Sequence, residues 1–298
     1  MKAPPMFIAT LLCNPGKPLV NDEVVTTLRN AWGGGAARWL DPGFAAEFDL
    51  DRIPDNRWQT WAGLQQLGID LVVQPAENRR KTMLLADMDS TMIDQECIDE
   101  LADEAGVWAE VSAITARAMN GELDFAAALT ERVALLRGLP ATVIAGVLAD
   151  RITLAPGGPV LLATMKANGA YAALVSGGFT AFTGPIAVRL GFDEHRANEL
   201  LIADGRLTGK VAHPILGRQA KIDALADITT HIGIAEADVM AVGDGANDLG
   251  MLGRAGAGVA LHAKPAVAGQ CDIRINFRDL SALLFIQGYA RSDFARVT

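Results

Sequence analysis

The chain has 298 residues, half of them hydrophobic, and a net charge of −9. That length suggests about two domains and supports a large core. The acidic balance argues against a nucleic-acid surface, which needs a basic face, and no apolar run nears the roughly 18 residues of a membrane span.

Cys13, Cys97 and Cys271 lie far apart and form no disulfide framework, which fits a reducing cytoplasm. At the N-terminus, Lys2, an apolar stretch over 6–12 and Cys13 loosely mimic a lipoprotein leader. The stretch is short and Pro4-Pro5 interrupts its approach, so a first β-strand is the better reading. Asn14-Pro15-Gly16 is a turn. Asn21 is placed to cap a helix through Arg29, with Val24, Val25 and Leu28 at helical spacing. Strands are predicted over 36–40 and 45–50, a helix over 58–67 stopped by Gly68, and a strand over 70–74. The polar stretch 75–80 breaks this pattern and closes a small α/β unit over 1–78.

From Lys81 the pattern becomes strand, loop, helix, repeated. An apolar run over 82–86 ends in Asp87-Met88-Asp89-Ser90-Thr91. On a strand, i and i+2 side chains share a face, so both carboxylates would meet at the carboxyl end, where open α/β sheets bind ligands. Two acids with no positive charge between them repel, and a cation is expected to join them. A long helical insertion follows over 96–151. Ile98, Leu101, Ala102 and Ala105 keep helical spacing up to Gly106, as do Ala126, Leu129, Val133 and Leu136 up to Gly138-Leu139-Pro140. Placed directly after the aspartate pair, this insert belongs above the sheet's carboxyl edge, as a lid. Further strands are expected over 171–175, 238–242, 258–261 and 272–275, and helices over 159–168, 179–190 and 217–227. Together they imply an α/β fold with a doubly wound, mostly parallel sheet. Residues 290–298 read as a loosely held tail.

Three later segments bear on the aspartate pair. Val175-Ser176-Gly177-Gly178 ends a strand in a small hydroxyl and two glycines before a helix, an arrangement of free N–H groups that suits a phosphate. Lys221, taken alone, reads as a solvated helix lysine. Val242-Gly243-Asp244-Gly245-Ala246-Asn247-Asp248 ends another strand in an acidic, glycine-rich loop. With a helix starting near Gly245, Asp244 and Asp248 both face the sheet edge, and carboxylates are the hard oxygen ligands that Mg²⁺ takes. An EF-hand calcium loop is excluded by ligand spacing and by its missing distal Glu.

The sequence DMDST, then SGG, then Lys221, then GDGAND resembles the four motifs of the haloacid dehalogenase superfamily of phosphohydrolases, from Lys81 to about Leu284. Glu96, Met119-Asn120-Gly121, Phe125 and Glu131-Arg132-Val133 are similar to the helical cap of its members that act on phosphoserine. The resemblance implies a Rossmann-like core over 79–95 and 152–298, a specificity cap over 96–151, and a ferredoxin-like, ACT-type unit over 1–78, where no sharp motif stands. It implies Asp87 as nucleophile, Asp89 as general acid and base, and Lys221 as a fixed catalytic charge. Ser176, Gly177, Gly178, Lys221 and Thr91 would surround the phosphate, with Asn247 hydrogen-bonding in the site. Mg²⁺ would rest on Asp87, the Asp89 carbonyl and Asp244, with Asp248 acting indirectly. Glu96 and Arg132 would take the ammonium and carboxylate of phosphoserine, between apolar walls from Met119 and Phe125. The implied activity is hydrolysis of O-phospho-L-serine to L-serine and phosphate through an aspartyl phosphate, the last step of serine biosynthesis. Three alternatives stay open: phosphohomoserine or phosphothreonine as substrate, phosphoryl transfer to a hydroxyl acceptor, and an amino-acid-sensing first unit that joins two chains as a homodimer. A dehalogenase is disfavoured, because that chemistry has no use for Lys221 with SGG or for a metal on Asp244.

Overall fold

The computed structural model describes residues 6–119 and 122–297, with the Met119 side chain outside the description. The first elements are β1 (Phe7–Cys13), α1 (Asp22–Trp32), β2 (Ala37–Asp41), β3 (Ala45–Leu50), α2 (Arg57–Gln66) and β4 (Ile69–Pro75). The strands form an antiparallel sheet in the order β2-β3-β1-β4. The Asn21 side chain accepts the Val24 N–H at 2.9 Å, and Gly33 ends α1 at φ 65°. The stretch that mimicked a leader is thus an interior strand. It is apolar apart from the buried Thr10 because both faces of this sheet are covered. Ala9, Leu11 and Cys13 pack with Val25, Leu28 and Leu64 of the two helices. Leu12, Leu40, Ala45 and Val72 join the core of the rest of the molecule.

Next come β5 (Met83–Ala86) and four helices: α3 (Cys97–Glu104), α4 (Trp108–Met119), α5 (Phe125–Leu135) and α6 (Thr142–Asp150). The chain continues through α7 (Gly158–Ala167), β6 (Tyr171–Phe179), α8 (Thr180–Leu190), β7 (Glu194–Asn198), β8 (Leu200–Ala203), β9 (Arg206–Val211) and α9 (Arg218–Ile232). It ends with β10 (Val239–Gly243), α10 (Leu249–Arg254), β11 (Ala257–Leu261), α11 (Pro265–Ala268), β12 (Ile273–Ile275) and α12 (Ala282–Ile286). Six of these strands pair in parallel in the order β12-β11-β10-β5-β6-β7. Their residues alternate between two buried layers: Leu84, Leu174 and Val242 face one side, Leu85, Val175 and Ala241 the other. The chain winds outward from β5 to β7, then returns to β10 and winds the other way. The strand order reverses between β5 and β10, and a crevice opens beyond the carboxyl ends at such a switch point.

Three features depart from the sequence expectations. The edge strand β7 carries the polar run Glu-His-Arg-Ala-Asn, which has no apolar alternation to detect. The β8–β9 hairpin went unread, although Asp204-Gly205 is the dipeptide its two-residue turn favours, with positive φ at both, 51° and 70°. This hairpin joins the helical insertion through backbone bonds from Gly138 to Leu207 (2.8 Å), Leu207 to Leu139 (2.9 Å) and Ala141 to Gly205 (2.9 Å). The C-terminal tail is tied down, not loose. Phe294 packs on Phe285 with ring centroids 4.9 Å apart, and the Ala295 N–H donates to Thr164 Oγ1 at 2.9 Å.

The antiparallel sheet is fastened to the parallel one at its β12 end. Every residue of α12 is buried, as an all-apolar helix must be. The Asp70 carboxylate accepts the backbone N–H groups of Asn276 (2.9 Å), Phe277 (3.0 Å) and Arg278 (3.1 Å). Gln74 donates to the Ile286 carbonyl at 2.6 Å, and Arg79 pairs with the buried Glu47 at 2.6 Å. Replacing Asp70 by Ala strands three buried donors, and Asp70→Ala should lower stability by about 3 kcal/mol, read as a fall in the urea midpoint.

Candidate active site

β5 stops at Ala86, and the Asp87 N–H still extends the ladder to Val242 of β10 at 3.0 Å. Asp87 is therefore fixed at the strand end, 6% exposed. Asp89 lies not on the strand but in the turn beyond it, where Ser90 takes φ 54°. The pair still converges, because the turn directs Asp89 back over the sheet edge. Its Oδ1 accepts the Cys97 N–H at 3.1 Å, and Ser176 Oγ approaches its Oδ2 at 3.4 Å.

Lys221 overturns the solvated-lysine reading. It lies in the first turn of α9, 1% exposed, with Nζ 2.7 Å from Asp87 Oδ2 and 2.5 Å from Asp248 Oδ1. Asp244 and Asp248 follow β10, but α10 starts only at Leu249, so a turn and not a helix presents them. Asp248 Oδ2 accepts the Gly245 N–H at 2.9 Å, and Thr91 Oγ1 donates to Asp244 Oδ1 at 3.2 Å. Thr91 thus meets a carboxylate where the resemblance placed it beside phosphate. Half-buried Asn247 packs its Oδ1 against Gly245.

Carboxylate oxygens of Asp87, Asp244 and Asp248 lie within 4.8 Å of one another. Three acids around one ammonium leave negative charge uncompensated, and the oxygen-only donor set fits a hard divalent cation. Both Asp248 oxygens accept protein donors, from Lys221 and Gly245, and so do both Asp87 oxygens, from Met88 and Lys221, so all three acids are candidate donors.

The SGG segment is not a helix start. β6 runs on through Phe179 with a register shift after Val175, and α8 begins at Thr180. The Gly178 N–H donates to Ser176 Oγ at 2.9 Å. Side chains are excluded here: a Cβ on Gly178 would stand 2.7 Å from Asp89 Oδ2, and one on Gly177 2.9 Å from Phe125 Cζ. A Cβ on Gly217 would stand 3.0 Å from Phe125 Cδ1. Phe125, the first residue of α5 behind an Asp124 cap, therefore closes the insertion onto the sheet edge at two glycines.

Glu96 and Arg132 line the same cleft. Glu96 sits at the helix-cap position of α3, yet its side chain makes no cap bond and accepts Ser90 Oγ at 2.7 Å instead. Its carboxylate is open to the cleft but crowded by surrounding protein, and that crowding, with Asp89 and Asp244 nearby, pushes it up to about 7. Arg132 donates Nε to the Ala128 carbonyl at 3.3 Å and, among the described residues, has no carboxylate within 4 Å. Burial lowers its pKa against the pull of Asp99, Glu96 and Asp89. Met119 ends α4, and its side chain, like Asn120 and Gly121, lies outside the described residues.

Burial raises Asp89, although Cys97, Lys221 and Ser176 pull the other way, and it drives Asp87 well above the usual carboxylate range despite Lys221. Burial also opposes the Lys221 charge, but Asp87 and Asp248 outweigh it and leave its pKa raised. Desolvation, then Asp248, lifts Asp244 to about 6.

Sequence reasoning missed two groups that shape this site. Cys97 holds Asp89 through its backbone N–H, and a backbone donor leaves no residue-type signal. Asn198, 2% exposed at the end of β7, bonds to both Gly177 and Leu216; its polar strand gave no pattern to flag it.

The family model for haloacid dehalogenase-like hydrolases matches residues 84–253. A phosphoserine phosphatase of Mycobacterium tuberculosis is 44% identical over 215 residues, 72% of this chain and 52% of that protein. One from Streptococcus thermophilus is 43% identical over 206 residues, 69% of this chain and 95% of that protein. A solved HAD-family hydrolase from Salmonella enterica serovar Typhi superposes with TM-score 0.86 at 32% identity, covering 95% of this chain and 98% of its own. The chain spans 52% to 64% of the length of the first curated relatives it matches.

A divalent cation held at this cluster would have to displace protons from raised carboxyls, Asp244 at about 6 and Asp87 raised by burial, so Mg²⁺ affinity by calorimetry should fall as pH drops through about 6. Asp244→Asn should weaken it about tenfold or more at neutral pH.

Proposed function

The chain belongs to the haloacid dehalogenase-like hydrolase family, and we propose that it hydrolyses O-phospho-L-serine to L-serine and phosphate. The observation that carries this reading is the buried Lys221 ammonium between Asp87 and Asp248, with the Ser176–Gly178 segment reaching Asp89 beside them. It assembles a carboxylate nucleophile and a phosphate cradle at one strand-order switch.

Asp87 attacks phosphorus and forms an aspartyl phosphate while the P–O bond to the serine oxygen breaks. Asp89, whose carboxyl burial pushes toward the protonated form, gives its proton to that departing oxygen. It then takes a proton from the water that attacks the aspartyl phosphate, and inorganic phosphate leaves. Lys221 and the Ser176–Gly178 groups hold the phosphoryl oxygens, whose charge the transition state spreads. Asp87, Asp244 and the Asp89 carbonyl are assigned to Mg²⁺, with Asp248 acting through Lys221 and Gly245, Thr91 orienting Asp244 and Asn247 bonding in the site. Bound Mg²⁺ supplies the positive charge that keeps Asp87 ionised and offsets the substrate's own.

In the cap, Glu96 is assigned to the ammonium and Arg132 to the carboxylate, whose geometry a guanidinium fork matches. Phe125 and Met119 are assigned as the walls that exclude water. We divide the chain into a core over 79–95 and 152–298, a cap over 96–151 and a first unit over 1–78. The β-α-β-β-α-β order and antiparallel sheet of that unit support a ferredoxin-like, ACT-type reading, and with it a homodimer or an amino-acid sensor. Three free, buried cysteines fit a cytoplasmic home.

The test is phosphate release from a phosphomonoester panel with and without Mg²⁺. O-phospho-L-serine should be preferred; preference for phosphohomoserine, phosphothreonine or a sugar phosphate, or transfer to added homoserine, would replace the reading. Asp87→Asn should fold normally and lose at least about 10³-fold in kcat. Arg132→Ala should raise KM for phosphoserine by about 10- to 100-fold, with a smaller effect on a substrate lacking the carboxylate.

A further inference from the structure

Asn198 has no place in the chemistry above, yet its buried side chain spends every polar atom on two segments of the site. Nδ2 donates to the Gly177 carbonyl at 2.8 Å and to the Leu216 carbonyl at 3.1 Å, and Oδ1 accepts the Leu216 N–H at 2.7 Å.

The first bond fixes a direction. The peptide between Gly177 and Gly178 is planar, so its C=O and N–H point opposite ways. With the oxygen held by Asn198, the Gly178 N–H faces Ser176 Oγ and, beyond it, Asp89. Glycines on both sides make rotation of this peptide cheap. A flip would set a carbonyl oxygen where phosphoryl oxygens need a donor. The other two bonds hold Leu216 beside Gly217, the residue before α9, with Lys221 four residues further on. The Phe125 ring rests against both Gly177 and Gly217.

We propose that Asn198 is a positioning residue that locks the Gly177–Gly178 peptide with its N–H toward the phosphoryl group and sets the spacing between that peptide and the Lys221 helix. The inference rests on the phosphatase reading of the site.

The test uses the full chain with Mg²⁺ and three variants. Asn198→Ala removes the amide. Asn198→Asp keeps the size but presents only acceptors to two carbonyls. Asn198→Ser leaves one short donor. Each is measured for kcat and KM on O-phospho-L-serine, and for inhibition by inorganic phosphate and, separately, by L-serine. Asn198→Ala and Asn198→Asp should lower kcat by about 100-fold, the scale of a lost oxyanion donor, and weaken inhibition by phosphate about tenfold. L-serine, held by Glu96 and Arg132, should inhibit within about twofold of wild type. Asn198→Ser should fall between, and it decides by the same split if the other two do not fold. Folded variants with kcat within about threefold of wild type, or with phosphate and serine inhibition weakened in parallel, would overturn the inference. A wild-type chain that releases phosphate from no phosphomonoester sinks the phosphatase reading and this inference with it. An active wild type with unimpaired variants sinks the inference alone.

Discussion

One ammonium group organises this site. Lys221 is almost wholly buried and lies within hydrogen-bonding distance of Asp87 and Asp248. A buried lysine without partners would lose its charge; here two carboxylates, one from each side of the strand-order switch, hold it charged. The contact acts on Asp87 as well, because the ammonium pulls its carboxyl down against the desolvation that raises it. The sheet order makes the contact geometrically available, since β5 and β10 are neighbours although far apart in sequence. α9 then needs only to deliver its first turn to the same point. Asp244 adds a further acid, and the three carboxylates form a cluster of oxygen donors that could hold a hard cation.

Close approach is the second constraint. Gly178 brings the backbone against Asp89, and Gly177 and Gly217 make room for the ring of Phe125. These glycines are spatial necessities more than conformational ones. They let Phe125 of the helical insertion approach the sheet edge more closely than any larger residue would allow. Backbone bonds to the β8–β9 hairpin hold the far side of the insertion, so it is fastened both at the cleft and behind it.

Much of this was legible because the active groups sit where patterns change. Apolar runs that stop at acids or glycines announced β5, β6 and β10, and the helical period announced the insertion. The Asn21 cap and the Gly68 stop were read correctly for the same local reason. What stayed hidden depends on partners remote in sequence. No local feature separates Lys221 from a surface lysine; its burial is decided by Asp87 and Asp248. β7 lies at the sheet edge with a polar sequence, which concealed both the strand and Asn198. The continuation of β6 past Val175 and the late start of α10 reflect tertiary pairing and the Gly245–Asp248 turn, which override the expectation of a helix directly after a glycine loop. The tail is held by Phe285 and Thr164, contacts that its composition does not reveal.

α12 carries an evolutionary consequence. A helix with no polar face can persist only while something shields it, and here the antiparallel sheet does so. Once that shelter exists, substitutions on the shielded surface toward Leu, Phe and Ile are invisible to selection for solubility. Each of them makes the shelter harder to discard, whatever it first contributed. A chain stripped of its first sheet would present that surface to water, so the two sheets are bound to a common fate whatever the first contributes at the cleft.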